Sequence, residues 1–238
     1  MNAQTIRDVF PSLPADKAVA YSPLLVAAMR EGNITTEPRA AAFLAQLGHE
    51  SIDLRYFEEI GPQPYWKNYS GGARYHGRGP IQLTHDYNYK ACGKALGLPL
   101  LEQPELAARP ENGFRVAVWF WVTHGLNGLA DKGRFRAICV GINGGVNGLT
   151  DRFARWNRIR KLGDEVLPIE TREQKWIESR GRKRESLRSL LLRRRQLRAE
   201  HHDHGPVYEA TTRMMRKLKV EIERLTRLIS REQAKHHA

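Results

Sequence analysis

Apolar residues recur along most of the chain at steps of three and four, the spacing that places them on one face of an α-helix. Few stretches show the polar–apolar alternation of a half-buried strand. The fold class predicted from this pattern is mainly α. Before the C-terminal part of the chain, the predicted helices cover residues 4–10, 15–31, 37–50, 85–97, 111–124, 131–141 and 150–162.

Residues 60–80 interrupt this helical pattern. They are rich in Gly, Pro, Tyr and Asn and have no apolar period, so they are predicted to form a long loop. Long ordered loops in compact domains tend to carry function, because a rigid scaffold can hold their polar side chains toward a ligand. This loop is therefore a candidate part of a site.

The composition of the chain changes near Pro168. Residues 169–238 contain 19 lysines and arginines against 10 aspartates and glutamates, so they carry +9 of the total charge of +13. Turn-forming residues are scarce there except around 201–206. An apolar step close to that of a coiled-coil seam runs through Met215, Leu218, Ile222, Leu225 and Ile229.

Two parts are therefore predicted, a main helical domain over residues 1–168 and a basic α-helical extension over residues 169–238. Within the extension, residues 170–235 are predicted to form two helices. These helices can fold back as a hairpin docked on the main domain, or they can form an arm through which two chains associate. The seam is short, and both interpretations stay open.

The net charge of +13 and the pI of about 10.0 favour polyanionic partners. Because most of this charge lies in the extension, residues 169–238 are predicted to contact an anionic envelope surface. The extension has no nucleic-acid-binding motif and almost no aromatic residues between its cations, so no specific nucleic-acid partner is expected.

The cysteine and histidine positions indicate neither a metal nor a cofactor. Cys92 and Cys139 lie among apolar residues of predicted helices, which indicates two buried free thiols rather than a disulfide. Neither has the spacing of a metal or redox motif. Some histidines cluster in the extension without a Cys or carboxylate pattern and are expected to be solvated, namely His201, His202, His204, His236 and His237.

Glu50 lies on one stripe of the predicted 37–50 helix with Phe43 and Leu47. A carboxyl among apolar groups holds its proton more tightly than one in water, which suits a general acid. The spacing is equally compatible with a carboxylate at a frayed helix end that points to water. Glu58 and Glu59 follow at the entrance to the loop, and two carboxylates bounding a cleft are what acid/base glycoside hydrolysis requires.

Residues 75–84, which read YHGRGPIQLT, form a more specific segment. Its glycines allow the backbone to pass close to a ligand, and its side chains offer hydrogen bonds suited to sugar hydroxyl and N-acetyl groups. The candidate ligand-binding residues of this segment and of the short helix after it are Tyr75, Arg78, Gln82, Thr84 and Asn88. Downstream, Asn143 precedes two glycines and Arg152 follows.

Taken together, these motifs resemble those of glycoside hydrolase family 19, the chitinase-like family that includes many bacteriophage endolysins. The matching pieces occur in family order and cover about residues 37–163. The resemblance implies a lysozyme-like, two-lobed helical domain with a central cleft. It also implies an inverting mechanism on β-1,4 bonds between N-acetylated amino sugars, with no cofactor.

The resemblance also implies roles for individual residues. Glu50 matches the general acid, and Glu59 matches the second carboxylate, with Glu58 as the alternative. Arg152 matches a cleft arginine that orients a catalytic carboxylate. Residues matching positions that bind substrate or place water are Gln82, Thr84, Asn88 and Asn143.

Two departures from the family pattern favour peptidoglycan glycan strands over chitin as the substrate. Ile52 and Asp53 stand where phage-like members often carry two glycines, and the loops and cysteines of plant chitinases are largely missing. An endolysin without a signal peptide is expected to be made in the host cytoplasm and to act on the wall after release, with a membrane-permeabilising partner.

Three alternative functions stay open at this point. A true chitinase would cleave chitin oligomers, and a lytic transglycosylase would use one acid and produce anhydro-sugar ends. A non-catalytic protein would keep only a sugar-binding cleft and a basic arm for the envelope.

Overall fold

In the computed structural model, the described residues are 1–61, 63–168, 172–200 and 202–235. The chain divides into two compact units, Met1–Ile169 and Glu170–Ala238. The secondary structure of the described residues is helical, with two isolated β-bridges and no named strand. This confirms the predicted mainly α fold class.

The first unit contains eight α-helices in its described residues. They are α1 (Ala3–Val9), α2 (Ala15–Glu31), α3 (Glu37–Glu50), α4 (Asp86–Leu96), α5 (Pro110–Thr123), α6 (Leu126–Asp131), α7 (Phe135–Asn143) and α8 (Leu149–Arg160). The predicted start of the 131–141 helix is wrong, since α7 begins at Phe135. Gly133 has a φ of 65° and separates α6 from α7. A left-handed glycine of this kind ends a helix without steric cost.

Helix α3 lies at the centre of the first unit. Its middle is rich in alanine and is buried on all sides, so neighbouring helices can approach its backbone closely. It packs mainly against α8 and also contacts α1, α6 and α7. Phe43 anchors this core by meeting Trp121 of α5 edge to face, with ring centroids 5.3 Å apart.

The loop after α3 is shaped by short 3-10 turns and backbone pairing rather than by strands. The turns cover Gln63–Asn68 and Gly72–Tyr75. Two antiparallel bridges, Glu58 with Arg78 and Arg78 with Leu83, join three passes of the chain. The predicted loop is therefore ordered by its own hydrogen bonds.

The second unit is a pair of antiparallel helices, α9 (Arg172–Ala199) and α10 (Pro206–Lys235). The sequence predicted two helices over residues 170–235. Met215 and Ile229 of the apolar seam are buried between them. Lys183 and Glu221 form an ion pair across the hairpin.

Both cysteines are free and buried, as predicted. Burial raises the pKa of the Cys92 thiol to about 12, and it also raises the pKa of Cys139. In the described residues, no helix has the length and apolarity to cross a membrane. Within the same residues, no three His, Cys, Asp or Glu side chains gather as metal ligands. His201, His236 and His237 lie outside them.

Candidate active site

Glu50 is the last residue of α3, and its carboxylate meets the guanidinium of Arg152 on α8. Arg152 Nη2 donates to Glu50 Oε1 at 2.5 Å. Arg152 is 1% exposed, whereas the Glu50 side chain is 18% exposed and reaches the surface. Phe43 and Leu47 are buried, as the helical stripe predicts. The prediction that the Glu50 carboxyl lies among apolar groups is wrong, because it contacts the guanidinium of Arg152.

A second polar contact holds Arg152 from behind. Its Nη1 donates to Gln46 Oε1, and Gln46 Nε2 donates to the sulfur of Cys139 at 3.2 Å. Gln46 lies one turn before Glu50 on α3 and is fully buried. The guanidinium therefore bridges two side chains of one helix, which fixes the position of the Glu50 carboxylate.

The chain leaves α3 through an unusual left-handed turn. Ile52, Asp53 and Leu54 have φ values of 49°, 59° and 58°, in a region that non-glycine residues seldom adopt. The Asp53 side chain offsets the cost of this conformation. Its Oδ2 accepts a hydrogen bond from the Ser12 amide at 3.1 Å, and its Oδ1 accepts one from Arg155. Polar contacts thus hold the departing chain where two glycines were expected from the family pattern.

Asp151 and Arg155 extend this network along α8, and His49 joins it from α3. His49 Nδ1 lies 2.7 Å from Asp151 Oδ2, and Arg155 Nε donates to the same oxygen at 2.7 Å. Partial burial alone would raise the pKa of Asp151, but the hydrogen bonds from His49 and Arg155 outweigh it and lower that pKa. The network ties the end of α3 to α8 on both sides of Glu50.

Glu59 is positioned by the bridged loop. Its amide donates to Gly77 O at 2.8 Å, and the Gly77 amide donates back to Glu59 Oε2 at 2.9 Å. The Tyr69 hydroxyl donates to the other carboxylate oxygen, Oε1, at 3.0 Å. Both oxygens of Glu59 therefore have a protein donor, and burial together with this bond raises the pKa of Tyr69.

Gly77 also brings Gln82 to Glu59. A Cβ at Gly77 would lie 2.6 Å from Gln82 Oε1 and 3.2 Å from Glu59 Oε2, so both side chains occupy the space that a larger residue would need. Gln82 has a φ of 57°, and its Nε2 donates to Gly79 O at 3.1 Å. The glycine-rich segment thus places an amide beside the carboxylate.

Glu58 has a different environment from its neighbour. Its Oε1 lies 2.8 Å from His76 Nε2 and accepts from Arg78 Nε at 3.2 Å. Partial burial would raise the pKa of Glu58, but His76 and Arg78 lower it. Arg78 is buried and also donates to Arg74 O at 2.8 Å, so this cluster braces the loop.

The remaining predicted ligand residues make the following contacts. The Tyr75 hydroxyl donates to Leu101 O at 3.0 Å. Asn88 Nδ2 donates to Thr84 O at 3.0 Å, and both side chains are partly exposed. Asn143 is exposed at the end of α7, where its Nδ2 donates to Asn147 O at 3.3 Å. Their roles toward a ligand stay predictions.

Sequence reasoning missed the residues that support Glu50 from behind and from the side. Gln46 was identifiable as a polar residue one turn before Glu50 within an alanine-rich helix. Asp53, Asp151 and Arg155 carried no local signal, because their pairing depends on how α3 and α8 pack.

The helical fold of the first unit is lysozyme-like and holds two supported glutamates, Glu50 and Glu59. Residues 60–133 match the sequence profile of glycoside hydrolase family 19, described as chitinase class I. This part of the chain is therefore similar to that family.

Among curated relatives, endochitinase At2g43620 of Arabidopsis thaliana is 46% identical over 111 residues, which are 44% of this chain and 38% of that protein. The basic 30 kDa endochitinase of Solanum lycopersicum is 39% identical over 114 residues, 39% of this chain and 35% of that protein. The chain thus spans about two fifths of the length of curated relatives that it matches.

Among solved structures, chitinase C from Streptomyces griseus HUT6037 is similar with a TM-score of 0.58 and 26% identity, covering 68% of this chain and 91% of that chain. A bacterial family 19 chitinase reported to differ from plant enzymes is similar with a TM-score of 0.59 and 26% identity, covering 68% and 93%.

Proposed function

We propose that this chain is an endolysin of the bacteriophage type, which hydrolyses β-1,4 glycosidic bonds between the N-acetylated amino sugars of peptidoglycan with inversion. The observation that carries the proposal is the ion pair between Glu50 and the buried guanidinium of Arg152. The guanidinium fixes this surface carboxyl in one orientation, which proton transfer to a leaving sugar requires.

In this mechanism Glu50 acts as the general acid. Its Oε1 accepts from Arg152, so Oε2 is the oxygen that carries the proton to the glycosidic oxygen. When the proton has left, the guanidinium stabilises the carboxylate that remains. Gln46 keeps Arg152 in place throughout this change of charge.

Glu59 acts as the general base. Tyr69 and the Gly77 amide each occupy one acceptor position on its two oxygens, and an ionised carboxylate has about four such positions. The remaining positions can accept a hydrogen from the attacking water. Glu58 is less suited to this role, because, although partial burial alone would raise the pKa of its carboxyl, His76 and Arg78 lower that pKa and so make it a weaker base.

Charge supports peptidoglycan over chitin as the substrate. The chain carries +13, and peptidoglycan bears carboxylates on its stem peptides, whereas chitin is uncharged. The alternative substrate is chitin, which is favoured by the names of the relatives reported above, since these are chitinases or endochitinases.

The test compares the wild-type chain with Glu50→Gln and Glu58→Gln on purified peptidoglycan and on chitin oligomers. We expect Glu50→Gln to lower kcat by at least about a hundredfold, because an amide has no proton to transfer to the leaving sugar. The variant also loses the charge that pairs with Arg152, so circular dichroism at the assay temperature serves to show that it is folded. Glu58→Gln is the matched control and should retain most of the activity.

Mass spectrometry of the released fragments distinguishes the competing functions. Ordinary reducing ends from peptidoglycan would support hydrolysis, whereas anhydro ends would show transglycosylation. Faster turnover of chitin oligomers than of peptidoglycan would contradict the substrate assignment, and full activity of Glu50→Gln would contradict the mechanism.

A further inference from the structure

Helix α9 carries an unusual concentration of positive charge in its second half. Residues 186–199 include five arginines and no aspartate or glutamate. The side chains that pack toward α10 are partly or fully buried and recur at helical steps, namely Leu187, Leu190, Arg194 and Leu197. Most of the arginines therefore lie on the other side of the helix.

The exposed side of α9 combines these arginines with two leucines. Leu191 is 47% exposed and Leu192 is 62% exposed, although the buried face of the same helix offers other leucines to α10. A shallow groove on this side is lined by both leucines and by neighbouring arginines. We call this surface the arginine–leucine face, and it consists of Arg188, Leu191, Leu192, Arg195 and Arg198.

Tyr208 of α10 organises one edge of this face. Its hydroxyl oxygen accepts from the Nε atoms of Arg194 and Arg198, each at 2.9 Å. The two guanidinium carbons lie 5.0 and 5.9 Å from the centre of the Tyr208 ring. Like charges four residues apart on a helix repel, so this arrangement holds two cations side by side, where an anion would relieve the repulsion.

The composition of the face identifies the partner that fits it. Guanidinium groups form paired hydrogen bonds with phosphate oxygens, and exposed leucines gain free energy when they enter the boundary between headgroups and acyl chains. A nucleic acid or a free anion would use the arginines and leave the leucines in water. A bilayer of anionic phospholipids uses both.

We propose that the arginine–leucine face docks the second unit on the surface of an anionic phospholipid bilayer. Helix α9 itself neutralises little of this positive charge. Its Glu185 forms an ion pair with Arg188 at 3.9 Å, but both side chains are exposed and such pairs are weak. The cationic groups remain available to lipid phosphates.

The experiment measures binding of the full-length chain to vesicles by co-sedimentation. One vesicle contains equal amounts of phosphatidylglycerol and phosphatidylcholine, and the other contains phosphatidylcholine alone. We expect binding to the anionic vesicle only. Arg188→Gln/Arg195→Gln should weaken it about 30-fold, since each basic residue near an anionic surface contributes about tenfold or less.

Two further variants distinguish docking through the arginine–leucine face from attraction of the whole basic chain to an anionic vesicle. Leu191→Ala/Leu192→Ala should weaken binding at least about tenfold, because apolar area no longer enters the bilayer, while alanine preserves the helix. Arg213→Gln/Arg216→Gln makes the same charge change at exposed positions of α10 and should weaken binding by less than about threefold.

Equal losses in the α9 and α10 arginine variants would overturn the proposal, because attraction would then depend on net charge alone. Unchanged vesicle binding by the leucine variant would also overturn it. Duplex DNA is the competing polyanion, and binding to it that exceeds binding to the anionic vesicle and is lost in the α9 arginine variant would identify a nucleic acid instead. Circular dichroism confirms that each variant keeps its helices, and none of these measurements depends on glycosidase activity.

Discussion

Arg152 is buried between two polar residues of α3, and its removal would leave both without their donor. We expect Arg152→Ala to lower the free energy of unfolding by about 3 kcal/mol, because the buried amide oxygen of Gln46 loses its donor and Glu50 loses the charge that compensates its own. Urea denaturation measures this change, and the loss of activity should accompany it.

Arg160 offers a matched control for this prediction. It lies on the same helix and pairs with Glu37 of α3 at 3.4 Å, but its side chain is 52% exposed. Arg160→Ala should change the free energy of unfolding by less than about 1 kcal/mol, as exposed ion pairs usually do. Equal costs for the two variants would contradict the structural role assigned to Arg152.

The cluster around Glu58 contributes to stability in a pH-dependent way. Although partial burial alone raises the pKa of Glu58, His76 and Arg78 lower it below its ordinary value of 4.5. A depressed pKa in the folded state means that the contribution is present above pH 4.5 and is lost as the pH falls through the lower folded-state value.

The measurement compares thermal unfolding of the wild-type chain and Glu58→Gln between neutral and acidic pH. We expect the wild-type chain to unfold at the higher temperature at neutral pH and the difference to shrink below about pH 4.5. A difference that stays constant down to the lowest pH would show that His76 and Arg78 do not stabilise the ionised carboxyl.

The left-handed turn after α3 stores backbone strain at Ile52 and offsets it at Asp53. A β-branched residue with a φ of 49° costs about 1–2 kcal/mol relative to a residue that tolerates this region. Ile52 is half exposed, so its side chain gains little by burial. We expect Ile52→Asn to raise the free energy of unfolding by about 0.5–1 kcal/mol.

Asp53→Asn tests whether the polar contacts of Asp53 stabilise the turn. Asparagine tolerates the same backbone conformation but carries no charge, so the buried pair with Arg155 is broken and stability should fall by at least about 1 kcal/mol. Stabilisation by both substitutions would show that the polar contacts of Asp53 do not hold the turn.

The elements around the site differ in how far local sequence could predict them. The stripe of Phe43, Leu47 and Glu50 follows from helical spacing, and all the α-helices before Gly125 lie close to their predicted bounds. The pairing of Gln46 with Arg152 could not be predicted locally, because it depends on which sides of α3 and α8 meet.

Which of Glu58 and Glu59 serves as the second carboxylate likewise depends on contacts that local sequence does not reveal. Neighbouring residues on an extended segment point to opposite sides, so Glu58 and Glu59 must contact different partners. Sequence spacing alone does not say which of the two glutamates faces the site. The bridges to Arg78 and Gly77 separate them, sending Glu58 to His76 and Glu59 to Tyr69.

Across the whole molecule, the main hydrophobic core lies entirely in the first unit, between Met1 and Leu167. A domain with its own core folds independently, so we expect a chain truncated after residue 168 to cleave soluble glycan fragments at a rate within about twofold of the full chain. The same truncation should abolish binding to anionic vesicles. Loss of cleavage together with loss of helical content would contradict independent folding.

The contact between Gln46 and the sulfur of Cys139 gives the chain a natural reporter of motion behind Glu50. A thiol reagent can modify Cys139 only when α7 parts from α3, whereas Cys92 is buried elsewhere in the core, in α4. Comparing the labelling rates of the two thiols would therefore distinguish breathing of the helices around the glutamate from unfolding of the whole domain, without any introduced probe.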